Sequence, residues 1–363
     1  MNNSERFAAV LLIASLIPHP SSLVASDFRL ATPGYEFVFP RDHGSHPEYR
    51  TEWWYFTGHL RTASGRRYGF EVTFFRVGIT PPGPKETRWD LQHVMPAHFA
   101  VTDLAAKKFR YYEKLNRASP FTAEAAVGRL DVFNEGWRLT MAPDGSWRLV
   151  ASEGTDAIDL VLRARKPPAV HGENGVSIKA QGAGFASHYY SMTRLEASGT
   201  INGERANGQA WMDHEFGSSA LRENQQGWDW FSIQLDNDSE VMLYIIRKTD
   251  GTPDVTSSGS LITSDGRVIH IRREQMRITP LAKWTSKQSG ATYPMGWRVE
   301  LPRFGVMLTL RPLMREQELV THGSTRVTYW EGAVDVTGSF AGVAVRGDGY
   351  VEMTGYDKAF RAP

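Results

Sequence analysis

Trp53-Trp-Tyr-Phe-Thr-Gly-His-Leu60 and Trp228-Asp-Trp-Phe-Ser-Ile-Gln-Leu235 align without a gap. Each is followed by an apolar run that ends in arginine, Tyr68-Gly-Phe-Glu-Val-Thr-Phe-Phe-Arg76 in one case and Val241-Met-Leu-Tyr-Ile-Ile-Arg247 in the other. The echoes continue in order. Trp137-Arg-Leu139 pairs with Trp297-Arg-Val299, and each leads to a strand-like run closing at Arg163 or Arg311. Gly208-Gln-Ala-Trp-Met-Asp213, with Gly217 after it, pairs with Gly347-Asp-Gly-Tyr-Val-Glu352, with Gly355 after it. One tryptophan pair is coincidence, but ordered echoes along the whole chain read as an internal duplication. The copies span 45–219 and 226–361, joined by the polar turn Arg222-Glu-Asn-Gln-Gln226.

The runs are short, β-branched and aromatic, and bounded by turn pairs such as Asp144-Gly145, Asn202-Gly203, Asp250-Gly251 and Asp265-Gly266. This is the pattern of antiparallel strands joined by tight hairpins. One short helix is expected around Ala118 to Val127, and nothing reads as a βαβ unit. Each copy has the length of a closed or nearly closed barrel of about eight strands, wide enough for one small ligand. The fold class is therefore all-β, with two tandem antiparallel barrels.

The chain has 363 residues, which suits about two domains. Lys plus Arg is 41 against 40 acidic residues, so the basic surplus of a nucleic-acid groove is missing and no nucleic-acid partner is expected. There is no cysteine, which excludes disulfides, thiol catalysis and zinc–thiolate sites. Arg6 precedes the apolar run Phe7 to Ile17, then come Pro18, Pro20 and the small-residue stretch Val24-Ala25-Ser26. Residues 1–26 read as a signal peptide, too short to span a bilayer, and the expected location is secreted or periplasmic.

The copies differ where chemistry could sit. Only the first carries Ser187-His188-Tyr189-Tyr190-Ser191 ahead of Trp211-Met-Asp213-His214-Glu215. Alternate strand residues share a face, so His188 goes with Tyr190, and Trp211 with Asp213. If the two faces line one cavity, a carboxyl sits among aromatic rings and an imidazole. Burial there raises a carboxyl pKa, making Asp213 a candidate general acid, with His188 orienting it or activating water. The rings of Tyr190 and Trp211 would stabilise a cation. The alternative is that Asp213 caps a turn or pairs with an arginine and the rings are core. Trp53 and Trp54 read first as core and barrel-mouth packing, as do His59 and His98 as satisfied structural histidines. Arg76 and Arg247 read as ion-pairing residues. No metal is expected, since Asp213-His214-Glu215 alternates faces and His43-Gly-Ser-His46 has no evident third ligand. Gly-x-Ser-x-Gly, Gly-x-Gly-x-x-Gly and P-loop signatures are absent.

Tyr49-Arg-Thr-Glu-Trp-Trp-Tyr-Phe-Thr-Gly-His-Leu60, His188-Tyr-Tyr-Ser-Met-Thr-Arg194, Ala210-Trp-Met-Asp-His-Glu-Phe-Gly217 and Gly227-Trp-Asp-Trp-Phe-Ser232 resemble the lipocalin-like hydroxyneurosporene synthase (carotenoid 1,2-hydratase) family, in its branch labelled predicted secreted hydrolase. The resemblance implies two lipocalin-like barrels and cofactor-free chemistry, in which an Asp protonates an isoprenoid double bond and water adds to the resulting cation. It places the proton donor on Asp213 and the shaping and cation-stabilising roles on His188, Tyr190 and Trp211. Trp53, Trp54, Trp228 and Trp230 become candidate substrate-binding residues. The order of the two aromatic positions, Tyr190 then Trp211, is the reverse of the hydratases. The expected partner is an apolar unsaturated small molecule, for which a membrane surface is a compatible source. Two other readings stay open: a non-catalytic carrier of a lipophilic ligand, and a secreted hydrolase.

Overall fold

The computed structural model describes residues 27–83, 87, 90–219 and 221–360, so the segment read as a signal peptide lies outside the described residues. The first sheet opens with β1 (Thr51–Thr62), β2 (Arg67–Gly78), β3 (His93–Asp103) and β4 (Lys108–Arg117). Short strands follow: β5 (Ala123–Ala125), β6 (Asp131–Asn134), β7 (Trp137–Met141), β8 (Trp147–Glu153) and β9 (Asp156–Ala164). It ends with β10 (Ala169–Val170), β11 (Ser177–Ile178), β12 (Ala186–Ile201) and β13 (Glu204–Gly217). The second sheet starts with β14 (Gln225–Leu235), β15 (Glu240–Lys248), β16 (Ser258–Ile262), β17 (Val268–Arg272) and β18 (Arg277–Thr285). Then come β19 (Thr292–Leu301), β20 (Val306–Pro312), β21 (Glu318–Val320), β22 (Thr328–Phe340) and β23 (Val343–Thr354).

The duplication is visible in the strand order. The first sheet runs β4-β3-β2-β1-β13-β12-β9-β8-β7-β6-β5 and the second β17-β16-β15-β14-β23-β22-β20-β19-β18. All pairings are antiparallel, and both sheets curl around their own apolar core, giving two lipocalin-like barrels, closed or half-open. In the first, Asn134 donates to the Met95 carbonyl at 2.7 Å and Asn116 to Asn134 at 2.7 Å, drawing β6 towards β3 and β4. The helix expected around Ala118 to Val127 is instead a turn entering β5. The Ser119 hydroxyl bonds Thr122 Oγ1 at 2.8 Å, and the Ser119 amide donates to the Ala123 carbonyl at 2.8 Å, closing the turn so that Ala123–Ala125 pairs with β6 instead of continuing as a helix.

The duplicated aromatic blocks form strands with no solvent face. In β1, Trp54 and Phe56 point into the first core, while Tyr55 and Trp53 belong to a third cluster between the sheets. In β14, Phe231, Ile233 and Leu235 enter the second core, while Trp228 and Trp230 join that same cluster. A strand buried on both faces needs a continuous apolar run rather than alternation, as these blocks supply. The inter-sheet layer is tied by polar bonds. Tyr55 donates to Glu331 at 2.7 Å, Gln234 to the Thr193 carbonyl at 2.8 Å, and Arg194 to Glu240 at 2.5 Å.

At Gly69 the sheets approach so closely that a Cβ would lie 2.5 Å from Tyr350 Oη and 3.0 Å from Ala333 Cβ. Gly69→Val is expected to destabilise the fold by about 1–3 kcal/mol through overpacking. A drop in thermal midpoint of roughly 2–6 °C would report it, and an unchanged midpoint would show that the sheets part freely there.

Candidate active site between the two sheets

Asp213 lies on the inter-sheet face of β13 and is 4% exposed. Tyr189 Oη donates to its Oδ2 at 2.5 Å, Trp211 Nε1 donates to Oδ1 at 2.6 Å, and the Ser191 hydroxyl also donates to Oδ1. Tyr189 Oη in turn accepts from Trp230 Nε1 of the second sheet at 3.1 Å. Trp230 meets Tyr55 and Trp211 edge-to-face, with centroids 5.2 and 6.3 Å apart. Burial pushes the Asp213 carboxyl up, the three donors pull it back, and the Glu215 charge adds to the rise, leaving it at about 7. At neutral pH it is divided between acid and carboxylate, the condition of a group able to give and recover a proton.

Around it, Glu215 pairs with Lys179 at 2.9 Å and accepts from the Ser187 hydroxyl. The Lys179 ammonium lies over the rings of Tyr244 and Tyr189, at 4.3 and 5.1 Å. On the facing sheet, Glu352 is the cross-strand neighbour of Glu331 and of Trp230. Trp53, Phe75, Trp228 and Glu352 are half-buried, so this end of the inter-sheet gap reaches solvent. Beside Lys179 lies a groove of about 770 Å³ lined by Ala180, Phe185, Leu221, Arg222 and Lys248 among others.

The structure separates the expected site residues into two groups. Asp213, Trp211, Trp53, Trp228 and Trp230 lie on the inter-sheet side. His188, Tyr190 and Trp54 lie on the opposite face, inside the first barrel, so they do not share a cavity with Asp213. The cause is a β-bulge. From the Asn202-Gly203 hairpin, β12 pairs in step with β13 as far as Leu195↔Ala210, but beyond the bulge the pairing is Met192↔Met212 and Ser191↔Asp213. Thr193 and Arg194 together oppose Trp211, and one extra residue flips every side chain beyond it. Without that residue, His188 and Tyr190 would share the face of Asp213. With it, Tyr189 and Ser191 do. Those two, with Tyr55 and His171, are the residues that sequence reasoning passed over. The motif containing Tyr189 and Ser191 is visible in the sequence, but its phase relative to Asp213 is set by the bulge.

Inside the barrel, His188 Nδ1 bonds the Gly175 carbonyl at 2.7 Å and its ring stacks on Tyr35 at 4.3 Å, with burial lowering its pKa to about 4. Trp54 donates to the His43 carbonyl at 2.9 Å. Tyr190 Oη lies 2.7 Å from His43 Nδ1 and 3.1 Å from His214 Nδ1. His46, Glu52 and His214 bring ligand-type atoms within 4.8 Å of one another. Their chemistry is that of an ion-pair network. Glu52 Oε1 accepts from His46 and His214 at 2.9 Å each, and Oε2 from Arg76 at 2.9 Å and Ser45 at 2.8 Å. Burial pushes His46 down, but Asp42 and Glu52 outweigh it and hold the ring at about 9, so it enters as a cation and not as a lone-pair donor. Arg247 pairs likewise with Asp229 at 3.0 Å. His98 bonds Tyr329 at 2.6 Å and Ser324 at 2.9 Å, and His59 bonds the Gly349 carbonyl at 2.9 Å.

Two curled lipocalin-like sheets with a buried carboxyl between them define a two-barrel protein with an inter-barrel site. The chain belongs to the AttH-like family, whose model matches residues 30–356. The AttH-type protein of Nitrosomonas europaea is 33% identical over 90% of this chain and 99% of its own, with a TM-score of 0.81. This family is broader than the hydroxyneurosporene synthase branch that the motifs resemble. Kievitone hydratase from Nectria haematococca, 16% identical, shares the fold with a TM-score of 0.68 over 92% of this chain and 97% of its own. CghA, crystallised with Sch210972, is 14% identical with a TM-score of 0.53 over 92% and 98%. At these identities the likeness is one of fold. No curated protein matches the sequence.

The inter-sheet face also buries Glu71, whose pKa burial raises to about 8, with Glu352 adding to the rise. Its Oε2 has no partner. The unfolded carboxyl releases its proton near its ordinary pKa, whereas the folded one keeps it to about 8, so this group costs stability as pH rises through that window. Glu71→Gln is expected to flatten the decline of the thermal midpoint above pH 5 by roughly 1–2 °C per pH unit, seen as a pH series of melting curves. An unchanged slope would show that Glu71 ionises freely in the fold.

Proposed function

We propose that the gap between the sheets is a cofactor-independent acid–base site that adds water to, or cyclises, an apolar unsaturated substrate of isoprenoid type. The observation that carries this reading is Asp213: a buried carboxyl held at about 7, ringed by Trp211, Trp230 and Tyr189. Protonated Asp213 gives its proton to an alkene carbon. A C–H bond forms, the π bond breaks, and the neighbouring carbon becomes cationic. The faces of Trp230, Trp211 and Tyr55 stabilise that cation, and the apolar surround keeps stray water away. For hydration, one water oxygen bonds to the cation and its surplus proton returns to the Asp213 carboxylate. For cyclisation, a second double bond attacks instead and a proton is then lost to Asp213.

The same fold in a protein named as a hydratase supports this reading, as does the resemblance of the Asp213 motif to carotenoid 1,2-hydratases. His188 and Tyr190 take no part in it, being turned into the first barrel, and Tyr189 and Ser191 replace them at the carboxyl. Trp53 and Trp228 stand at the open end, where an elongated apolar molecule would enter. The N-terminal segment, read as an export signal, would place the reaction in the periplasm or outside the cell.

The test is ligand capture. Wild-type protein and Asp213→Asn are each exposed to a lipid extract of the source cells, and bound and released molecules are identified by mass spectrometry. The variant is expected to retain an unsaturated compound that the wild type releases heavier by one water or as a cyclic isomer, with turnover lowered about 10²–10⁴-fold. Both proteins holding the same unaltered compound would make this a carrier. Release of two fragments, with labelled water entering at a cleaved bond, would make it a hydrolase.

A further inference from the structure

Asp213 is buried, yet an acid that works repeatedly must exchange protons with solvent. One side of it is met by an ordered chain of polar groups. The single hydroxyl proton of Ser191 is committed to Asp213 Oδ1. His171 Nε2 lies 2.6 Å from Ser191 Oγ, so with the hydroxyl proton spent it must be the N–H that donates. His171 Nδ1, 2.9 Å from Ser260 Oγ, is then the acceptor of the Ser260 hydroxyl. The donors thus point one way, from the second sheet through His171 to Asp213. His171 is 1% exposed, and burial lowers its pKa to about 3, so it stays neutral.

The outer end of the chain also has a candidate. His270 is the cross-strand partner of Ser260, on β17, which forms the edge of the second sheet. Val268, two residues earlier and on the same face, packs into the inter-sheet cluster. The His270 ring is half-buried, and its Nδ1 is enclosed without a hydrogen-bond partner. An imidazole with a spare nitrogen therefore lies on the edge strand, at the position directly opposite Ser260.

We propose that Ser260, His171 and Ser191 form a reversible proton relay between Asp213 and the edge of the second sheet, entered through His270. With Asp213 ionised, the donors point inward as described. When a proton enters, it is collected at His270, the His270 ring turns to hand it across the strand pair to Ser260 Oγ, and Ser260 passes its own to His171 Nδ1. His171 passes its Nε2 proton to Ser191 Oγ, and Ser191 passes its proton to Asp213 Oδ1. Ser260, His171 and Ser191 each gain one proton and lose one, so the net change is a neutral Asp213 and a His171 that carries its proton on Nδ1. Release runs the same bonds backwards, and His171 never becomes a lasting cation. His171 is on this account a positioning residue, since it reaches the substrate only through Ser191 and Asp213.

The relay rests on Asp213 being an acid that exchanges its proton, but its test needs no substrate, so the alkene chemistry can fail or stand independently. The ¹⁵N signals of His171 in histidine-labelled protein are followed between about pH 5 and pH 9. The groups that bear on the result are Glu215 and Lys179 beside Asp213, Glu331 and Glu352 on the facing sheet, and Lys179 and His270 near His171. The expected result is a tautomer exchange, Nδ1–H at low pH and Nε2–H at high pH, with the midpoint of Asp213 and no imidazolium. Asp213→Asn should abolish it. A proton that stays on one nitrogen throughout, or an imidazolium signal at the midpoint, overturns the relay. His270→Phe should leave both tautomers in place and slow exchange of the His171 ring proton with solvent by about tenfold or more. If exchange is unchanged in a variant that melts like the wild type, entry is not through His270 and that part of the proposal falls.

Discussion

Four strands, β1 and β13 in one sheet and β14 and β23 in the other, are buried on both faces over the stretches where the sheets meet, and the rest of the molecule follows from that. One face of each closes a barrel core, and the other closes the gap between the barrels. Polar groups in such a layer have no water to fall back on, so they must find partners in the opposite sheet or on their own. Tyr55 reaches Glu331, Gln234 reaches the backbone of β12, and Trp230 reaches Tyr189. The same dryness lifts the carboxyls of Asp213, Glu71 and Glu331 towards neutrality. The raised carboxyl of Asp213 is therefore a consequence of packing two sheets face to face, and not of a separate pocket added to the fold.

The duplicated framework carries unequal chemistry. At matching places in the two strand orders, Ser191 opposes Asp213 in the first sheet and Glu331 opposes Glu352 in the second. In the first copy hydroxyl and indole donors converge on one carboxyl. In the second, two carboxyls face one another across adjacent strands, and the Glu331 atom Oε2 has no partner. The second sheet contributes to the Asp213 site from outside, through Trp230 on Tyr189 and Ser260 on His171. Neither copy alone would build this cluster, and the two are joined across the gap by Arg194 and Lys166 of the first, which both pair with Glu240 of the second.

The interior of the first barrel holds the other concentration of titratable groups, with Glu52 at its centre. It accepts from His46, His214, Ser45 and Arg76, and the chain continues through Tyr190 to His43. Removing one partner would strand a buried charge, which is why such networks hold a fold in one arrangement more than they stabilise it. Tyr190, chemically attractive in the linear sequence, belongs to this network, while His188 bonds the Gly175 carbonyl and packs against Tyr35 and Phe216.

Much was legible in the residues alone. Hydrophobic runs, Asn-Gly and Asp-Gly turns and the repeated aromatic blocks determine an all-β, duplicated, two-barrel chain, because strand periodicity and turn geometry are local properties. The sequence also singles out Asp213, from its aromatic company and its place in a strand-closing motif, and the structure buries it among aromatic rings. The partners of Asp213 were not legible. Alternation says that His188 shares a face with Tyr190, and Tyr189 with Ser191, but only pairing says which set meets the carboxyl. The Asn202-Gly203 hairpin, extended in register, would choose His188 and Tyr190. The bulge at Thr193 and Arg194 reverses that choice, turning both residues outward to Glu240 of the other sheet. That contact joins residues from different barrels, so no local rule contains it. Only the packed pair of sheets decides which hydroxyls stand at the acid.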